Sequence, residues 1–589
     1  MKVNKYIISA LLCPFVLGSC ADWDDWKYDV EKPQTIAQYE YLNDYAPLKE
    51  YLDRGAHPGF KVSAALGVDE FNQQGPLFRL AAHNFDEIVA GNAMKMASCV
   101  NDEGVMDFSK VSSFVRAAED AGLTVYGHAL AWHAQQPSKY LNGLIKDKEL
   151  PPAEENPGLI ITAGAPKKDT WEYEIYYDLD KPLQAGKTYE ISLNVRGTNP
   201  GTIDFWPGKK DGSATQYGAG SFTVAESAID NSFSFTPNAD IDRMRFCFGK
   251  VGGTLYFDNF VLKEKGSDHN IAVNSTFDED DISHWTKVSW VDISYEIGNV
   301  AGGFIPLTPD EKKEKLTPVL QNWIYGMMEA TEGKVKAWDV VNEAISGEDK
   351  DGDGYYDLQS ATRGTVSADD AKNNFYWQDY LGDTEYVRTA VAAARKGFKD
   401  AGGNPEELKL FINDYNLETV DAQNNNKKLE SLIHWIDEWQ KDGVTKIDGI
   451  GSQMHVTCSM DPAKQKKNEE AYLNMLHKMV DSHMLVRISE LDMGLADKDG
   501  NLVNTTDMTE EQHKAMRAYY EFIVKKYLEI VPKEQQWGIC QWCATDSPAN
   551  SGWRAGLPVG LWDLDYYRKH TYGGFAAGLG APEYWNDAK

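Results

Sequence analysis

"KAWDVVNEAI", residues 336–345, runs from an apolar stretch of strand composition straight into an amide and a carboxylate, Asn342 and Glu343. Withdrawing a carboxylate from water costs on the order of several kcal/mol unless it is partnered. A strand that ends in this pair therefore either ends in bulk water or opens onto a site built to receive it, and the segments around it decide which.

Seven further runs rich in β-branched and aromatic residues occupy 60–68, 85–94, 124–132, 408–414, 447–454, 485–491 and 536–543. With 335–342 they make eight strand candidates. Between them lie segments such as "EYVRTAVAAARKGFKDAG" and "KKLESLIHWIDEWQKDG", with apolar residues at helical spacing and a glycine stop. Strands alternating with helices imply a parallel sheet, and eight such units imply a closed (β/α)8 barrel, an α/β fold whose active site lies at the C-terminal ends of the strands. Residues 151–305 break the rhythm. There, short alternating runs such as "KTYEISLNVRG" and "GTLYFDNFVLKE" are punctuated by Gly, Pro, Asn and Asp. They read as an all-β sandwich inserted after the third barrel strand, leaving barrel segments 46–150 and 306–589.

The strand ends carry the chemistry. The fourth ends in Asn342-Glu343 and the seventh in "RISELDM", with Glu490 and Asp492. Two carboxylates facing each other across a barrel mouth suit glycosidic bond cleavage, one protonating the departing oxygen while the other attacks or activates water. Polar clusters close the other strands: "GNAMK" on the second, "GHALAWHAQQP" on the third, "NDYN" on the fifth and "GSQMH" on the sixth.

With these motifs the chain, over roughly 46–150 and 306–585, resembles the family 10 glycoside hydrolases, the endo-β-1,4-xylanases. The resemblance implies Glu343 as general acid/base, from "WDVVNEA", and Glu490 as nucleophile, from "ISELDM", with retention of anomeric configuration; two carboxylates suffice for this chemistry, so no cofactor or metal is expected in it. It assigns Asn342 to the sugar 2-hydroxyl, and Asn92 and Lys95 to the glycone side of the cut. His128, Trp132 and Gln135 become the wall of the subsite of bond breaking, with Tyr415, Gln453 and His455 as further substrate contacts. His455 would bond the nucleophile while Asp492 holds it, and Trp542 and Trp553 would form an aromatic floor and lid. One departure stands out: the family's usual Glu before the Asn of the second-strand motif is Gly91 here. The insert more loosely resembles family 4 and family 22 carbohydrate-binding modules, with Trp171, Trp206, Tyr217 and Trp285 as stacking candidates. Within it, "NSTFDEDDISHW" at 274–285 reads either as the start of a second module or as the completion of the first.

Composition fits this picture. At 589 residues the chain exceeds one ordinary core, and 17 Trp and 30 Tyr suit stacking on sugar faces. A net charge of −31 argues against nucleic acid, whose phosphates it would repel. The expected partners are xylan and xylo-oligosaccharides, met by a monomer. The N-terminus, "MKVNKYIISALLCPFVLGSC", has the basic and apolar regions of an export signal over 1–19 and ends in a lipoprotein-like box. Cys20 is then the expected lipid acceptor, residues 20–45 a linker, and the outer membrane, with its surface as one option, the expected address. "CQWC" at 540–543 sits in an apolar strand run and reads as core packing. "DKDGDGYYD" spaces Asp349, Asp351 and Asp353 as in a calcium loop, but Ser360 stands where a bidentate Glu belongs, so a solvated loop is expected. Two rivals remain: a β-1,4-glucanase on the same barrel, and a non-catalytic glycan-capture lipoprotein, which two retained glutamates disfavour.

Overall fold

The computed structural model describes residues 38–150, 156–301, 303–305 and 307–584, so the expected export signal and Cys20 lie outside the described residues. Among the described residues no helix is long and apolar enough to cross a membrane. Eight parallel strands form one sheet: β1 (Lys61–Leu66), β2 (Glu87–Ala90), β3 (Thr124–Tyr126), β4 (Ala337–Asn342), β5 (Lys409–Asp414), β6 (Gly449–Ser452), β7 (Leu485–Ala496) and β8 (Gln536–Gln541). Hydrogen-bonded order runs β4-β5-β6-β7-β8-β1-β2-β3, and parallel bridges at Gly127–Trp338 and Ala131–Val341 join β3 to β4. The expected (β/α)8 barrel is therefore present.

All six residues of β4 are buried, as expected for parallel strands covered on both faces. The covering helices bury a stripe at helical spacing. In Glu385–Asp400 it includes Tyr386, Ala390, Val391, Ala394 and Phe398. Helix Pro309–Ala330 starts on a capping box between Thr308 and Glu311 with Pro309 in its first turn, and its Trp323 indole donates to the Leu130 carbonyl at 2.7 Å. A short strand, His455–Ser459, pairs with the outer half of β7 beyond the barrel rim.

The insert leaves and returns through one antiparallel pair, Lys148–Leu150 with Gly303–Ile305. Because Pro309–Ala330 leads down to β4, this junction sits at the strand C-terminal face. Beyond it are two five-stranded antiparallel sheets, one centred on Thr254–Glu264 and one on Ile241–Cys247. Tyr189–Gly197 alternates buried and half-buried along its length, and the inner faces meet in a core that includes Phe205, Phe246, Phe257 and Trp285. The 274–285 stretch completes this sandwich. Trp285 pairs with Tyr177 and is 4% exposed, and the following strand Ile293–Asn299 pairs with Pro157–Ala163.

Candidate active site

The barrel interior is charged beneath its mouth. Arg487 and Glu87, both essentially without solvent exposure, pair at 2.8 Å, and the Arg487 guanidinium lies 3.7 Å from the Tyr126 ring centre. The Tyr126 hydroxyl donates to Asp339 at 2.6 Å, and the other Asp339 oxygen lies 2.8 Å from His128 Nδ1. Buried charges must be paired to persist, and this chain fixes the imidazole that looks up into the cleft.

Glu343 follows β4 with φ 55°, a left-handed conformation held from several sides. Its N–H donates to the Asn413 carbonyl at 2.8 Å, its carbonyl accepts from Gln359 Nε2 at 2.9 Å, and Ile345 N–H donates to Asp414 at 3.0 Å. Asp414 is itself buried against Lys428 at 2.8 Å. The Glu343 carboxylate is thereby aimed into the cleft, where Trp132 Nε1 donates to one oxygen at 2.9 Å and Gln453 Nε2 to the other at 2.8 Å. His133 Nε2 lies 3.9 Å from the first oxygen, and the side chain keeps 18% exposure.

Glu490, on β7, is the more buried carboxylate, with 6% side-chain exposure. Asn413 Nδ2 donates to it at 2.8 Å and to Asn342 Oδ1 at 2.9 Å, while Ser489 Oγ donates to Asn413 Oδ1 at 2.5 Å. His455 Nε2 lies 3.4 Å from the second Glu490 oxygen, and His455 Nδ1 lies 3.1 Å from Asp492. Asp492 also accepts from Trp553 Nε1 at 2.7 Å and pairs with Arg554 at 3.1 Å. Burial opposes a charged ring at 455, but the Asp492 and Glu490 carboxylates outweigh it and raise His455 to about 9. Burial alone would push Glu490 up, yet His455, His128 and Asn413 leave it below the usual carboxylate range. Asn342 Nδ2 is buried and has no hydrogen-bond partner among the described residues.

These groups line one cleft of about 1090 Å³, with Asn92, Lys95, His128, Trp132, Gln135, Asn342, Gln453, His455, Trp542 and Trp553 around the two glutamates. Lys95 Nζ donates to Asn92 at 3.0 Å and lies 4.8 Å from the Trp132 ring centre; burial pulls its ammonium down against the pull of Glu490 and Glu343. Trp542 meets His128 edge-on at 5.5 Å. Tyr415 stands apart from this lining, its ring 3.1 Å from Lys428 Nζ. Sequence reasoning missed Asn413, Arg554 and His133 as members of the site. The signals were present in "NDYN" and "AWHAQQP", but no spacing says which way a strand-end side chain points. Asp349, Asp351 and Asp353 can bring ligand atoms within 4.8 Å of one another, yet Asp349 is engaged by Lys427 at 3.1 Å, and Ser360 is buried against Asp379. Cys540 is buried, Cys543 half-buried, and both are free, with burial pushing the Cys540 thiol up to about 12. In the insert Trp171 and Tyr217 are 47% and 69% exposed and Trp206 is half-buried, whereas Trp285 belongs to the core and is no stacking surface.

Residues 52–153 and 304–577 match the family model described as "Glycosyl hydrolase family 10", and residues 122–250 match one described as "Carbohydrate binding domain". Among curated proteins, the endo-beta-1,4-xylanase Xyn10C of Cellvibrio japonicus is 29% identical over 266 residues, 42% of this chain and 37% of that protein. Endo-1,4-beta-xylanase A of the same organism is 31% identical over 228 residues, 36% of this chain and 32% of that protein. The matched region thus spans only about a third of the length of these relatives. Among solved structures, xylanase B from Clostridium stercorarium F9 aligns with TM-score 0.50 and 17% identity over 90% of this chain and 99% of that one, a likeness of fold.

Proposed function

Because the chain belongs to glycosyl hydrolase family 10, its barrel interrupted by a β-sandwich, we propose that it is a retaining endo-β-1,4-xylanase acting as a monomer on internal bonds of xylan. The observation that carries the reading is the contrast between two carboxylates in one cleft. Glu490 is buried, triply supported and held ionised, while Glu343 is more open and bound by neutral amide and indole donors. An ionised, dry carboxylate suits attack on an anomeric carbon, and a wetter one suits proton delivery.

In this mechanism Glu490 attacks the anomeric carbon while Glu343 protonates the leaving oxygen, giving a glycosyl-enzyme. Glu343 then takes a proton from water, which displaces Glu490 with net retention. Asn413, shared between Asn342 and Glu490, turns the Asn342 amide so that its unpartnered Nδ2 can donate to a hydroxyl of the sugar under attack. That contact strengthens as positive charge grows on the ring. The test is product analysis on arabinoxylan, glucuronoxylan and cellulose side by side, with the anomer of the first-formed product read by NMR. Xylo-oligosaccharides of β configuration are expected. Release from cellulose but not xylan would make it a glucanase, and release from neither would leave a glycan-capture protein.

The sandwich is proposed to hold xylan beside the cleft through Trp171, Trp206 and Tyr217, supported by its family match and its junction at the catalytic face. Export with lipid attachment at Cys20, and an address at the outer membrane, is proposed from the "LGSC" box. Metabolic labelling with an alkynyl fatty acid should tag the wild type and not Cys20→Ala; an unlabelled wild type overturns it.

A further inference from the structure

A cavity of about 620 Å³ lies apart from the catalytic cleft and shares no lining residue with it. Thr505, from the loop after β7, and Asp546 and Asp563, from the loop after β8, place it at the same end of the barrel as the cleft. The loop after β8 serves both, with Trp553 in the cleft and Asp546 in the cavity. Tyr39 lines it with its ring stacked on His570 at 4.9 Å, and Tyr567 lines it while 72% exposed. Its size is that of a small-molecule site, which runs from about 300 to 1,000 Å³. One atom in it calls for a ligand. Asp546 is 2% exposed, and its Oδ2 is buried with no hydrogen-bond partner among the described residues. The other oxygen is fully used, by Lys569 Nζ and by the Gly560 N–H at 3.1 Å. A buried acceptor left unmet is costly, and native interiors rarely keep one without a use for it.

The charged groups of the cavity decide what fits. Lys569 is buried and spends its three donors on Asp546, the Pro558 carbonyl at 2.9 Å and the Gly560 carbonyl at 3.3 Å. Arg568 donates to the Leu42 and Tyr45 carbonyls at 3.0 and 2.7 Å and rests 4.4 Å from the Tyr572 ring centre. Asp563 accepts from the N–H groups of Asp565 and Tyr567 at 2.9 and 2.8 Å. Burial, seconded by Lys569, pulls His513 down to about 4, so its imidazole is neutral at pH 7. Glu40, Asp546 and Asp563 thus stand against Arg568 and Lys569, close to balance. An anion would meet three carboxylates, and a cation would meet an ammonium and a guanidinium. A neutral ligand rich in hydroxyls escapes both penalties: it can donate to Asp546 Oδ2 and lay an apolar face on Tyr567.

We propose that this cavity is a second glycan site on the barrel itself, taking a short neutral run of a xylo-oligosaccharide with one sugar hydroxyl on Asp546 Oδ2 and one sugar ring on Tyr567. The inference rests on the xylanase reading above for the identity of the sugar. It is tested in the full chain carrying Glu490→Ala, so that the probe is bound without being cut. The probe is xylotriose bearing a diazirine at its reducing end, and adducts are mapped by peptide mass spectrometry. Adducts are expected on cleft peptides and on the peptides that hold Thr505 or Tyr567, and excess plain xylotriose should suppress both. Tyr567→Ala, a change at the surface, should lower the cavity adducts about 10-fold at subsaturating probe while leaving the cleft adducts within about 2-fold. Asp546→Asn should do the same where circular dichroism shows it folded. Three outcomes overturn the proposal while leaving the xylanase reading intact: cleft adducts without cavity adducts, cavity adducts that plain xylotriose does not suppress, or cavity adducts unchanged in Tyr567→Ala. Adducts at neither place remove the xylanase reading and this inference with it.

Discussion

Replacing His455 by Asn removes the cation that touches both Glu490 and Asp492. Burial resists charging this ring, but the two carboxylates prevail and raise it from 6.5 to about 9. At 1.36 kcal/mol per pH unit the folded state therefore holds that proton by about 3 kcal/mol. The sign follows from the direction. A raised pKa stabilises fully below pH 6.5, where the ring is charged in folded and unfolded chains alike, and that stabilisation is lost as pH climbs through about 9. Wild type should thus lose about 3 kcal/mol more stability than His455→Asn between pH 6 and pH 9.5. Urea unfolding of the barrel at several pH values, with the insert's transition fitted separately, measures this difference. Parallel pH curves for the two proteins would refute the reasoning. A second readout uses Glu490, which His455 helps hold below the usual carboxylate range. The acid limb of kcat/KM should move to higher pH in the variant, and a limb that stays put counts equally against it.

Glu490→Ala should abolish turnover, and added azide should restore it with a glycosyl azide of inverted configuration; wild-type activity in the variant would end the nucleophile assignment. Glu343→Gln should cut xylan hydrolysis severely and the glycosylation step of activated aryl xylosides far less, so equal losses would sink the acid role. Replacing residues 151–305 by a short linker should lower activity on insoluble xylan while sparing xylohexaose, and equal harm to both would make the sandwich purely structural. Arg487→Met should destabilise the barrel in urea unfolding by less than the roughly 3–5 kcal/mol of a fully unpaired buried charge, because Glu87 loses Arg487 but keeps Lys61 at 3.1 Å; recovery in the double variant with Glu87→Met is the check.

The barrel was legible because its two periodicities are strong and because parallel strands, buried on both faces, announce themselves as unbroken apolar runs such as 335–342. Glu343 and Glu490 were legible as polar residues stranded at the ends of such runs. Asn413 was not. It sits one residue before Asp414 in "NDYN", and a slip of one residue in register would exchange the side chain that bridges Asn342 and Glu490 for the one that pairs with Lys428. The Arg487–Glu87 pair lay hidden for another reason: its partners are far apart in sequence and meet only when the sheet closes. In the sandwich, Trp285 and Trp206 have the same composition signal, and only the fold puts one in the core and the other at the surface.

The antiparallel junction at Lys148–Leu150 and Gly303–Ile305 also has a consequence for the order of assembly. The insert lies between β3 and β4, the two strands whose meeting closes the barrel. With the insert unfolded, bringing Gly127 to Trp338 closes a loop of roughly 210 residues; with it folded and its ends zipped together, the loop shrinks to roughly 55, and the entropic cost falls by about 1 kcal/mol. A sandwich that folds early thus acts as a staple on the last seam of the barrel, and one that misfolds would hold β3 and β4 apart as two open edges available to other chains.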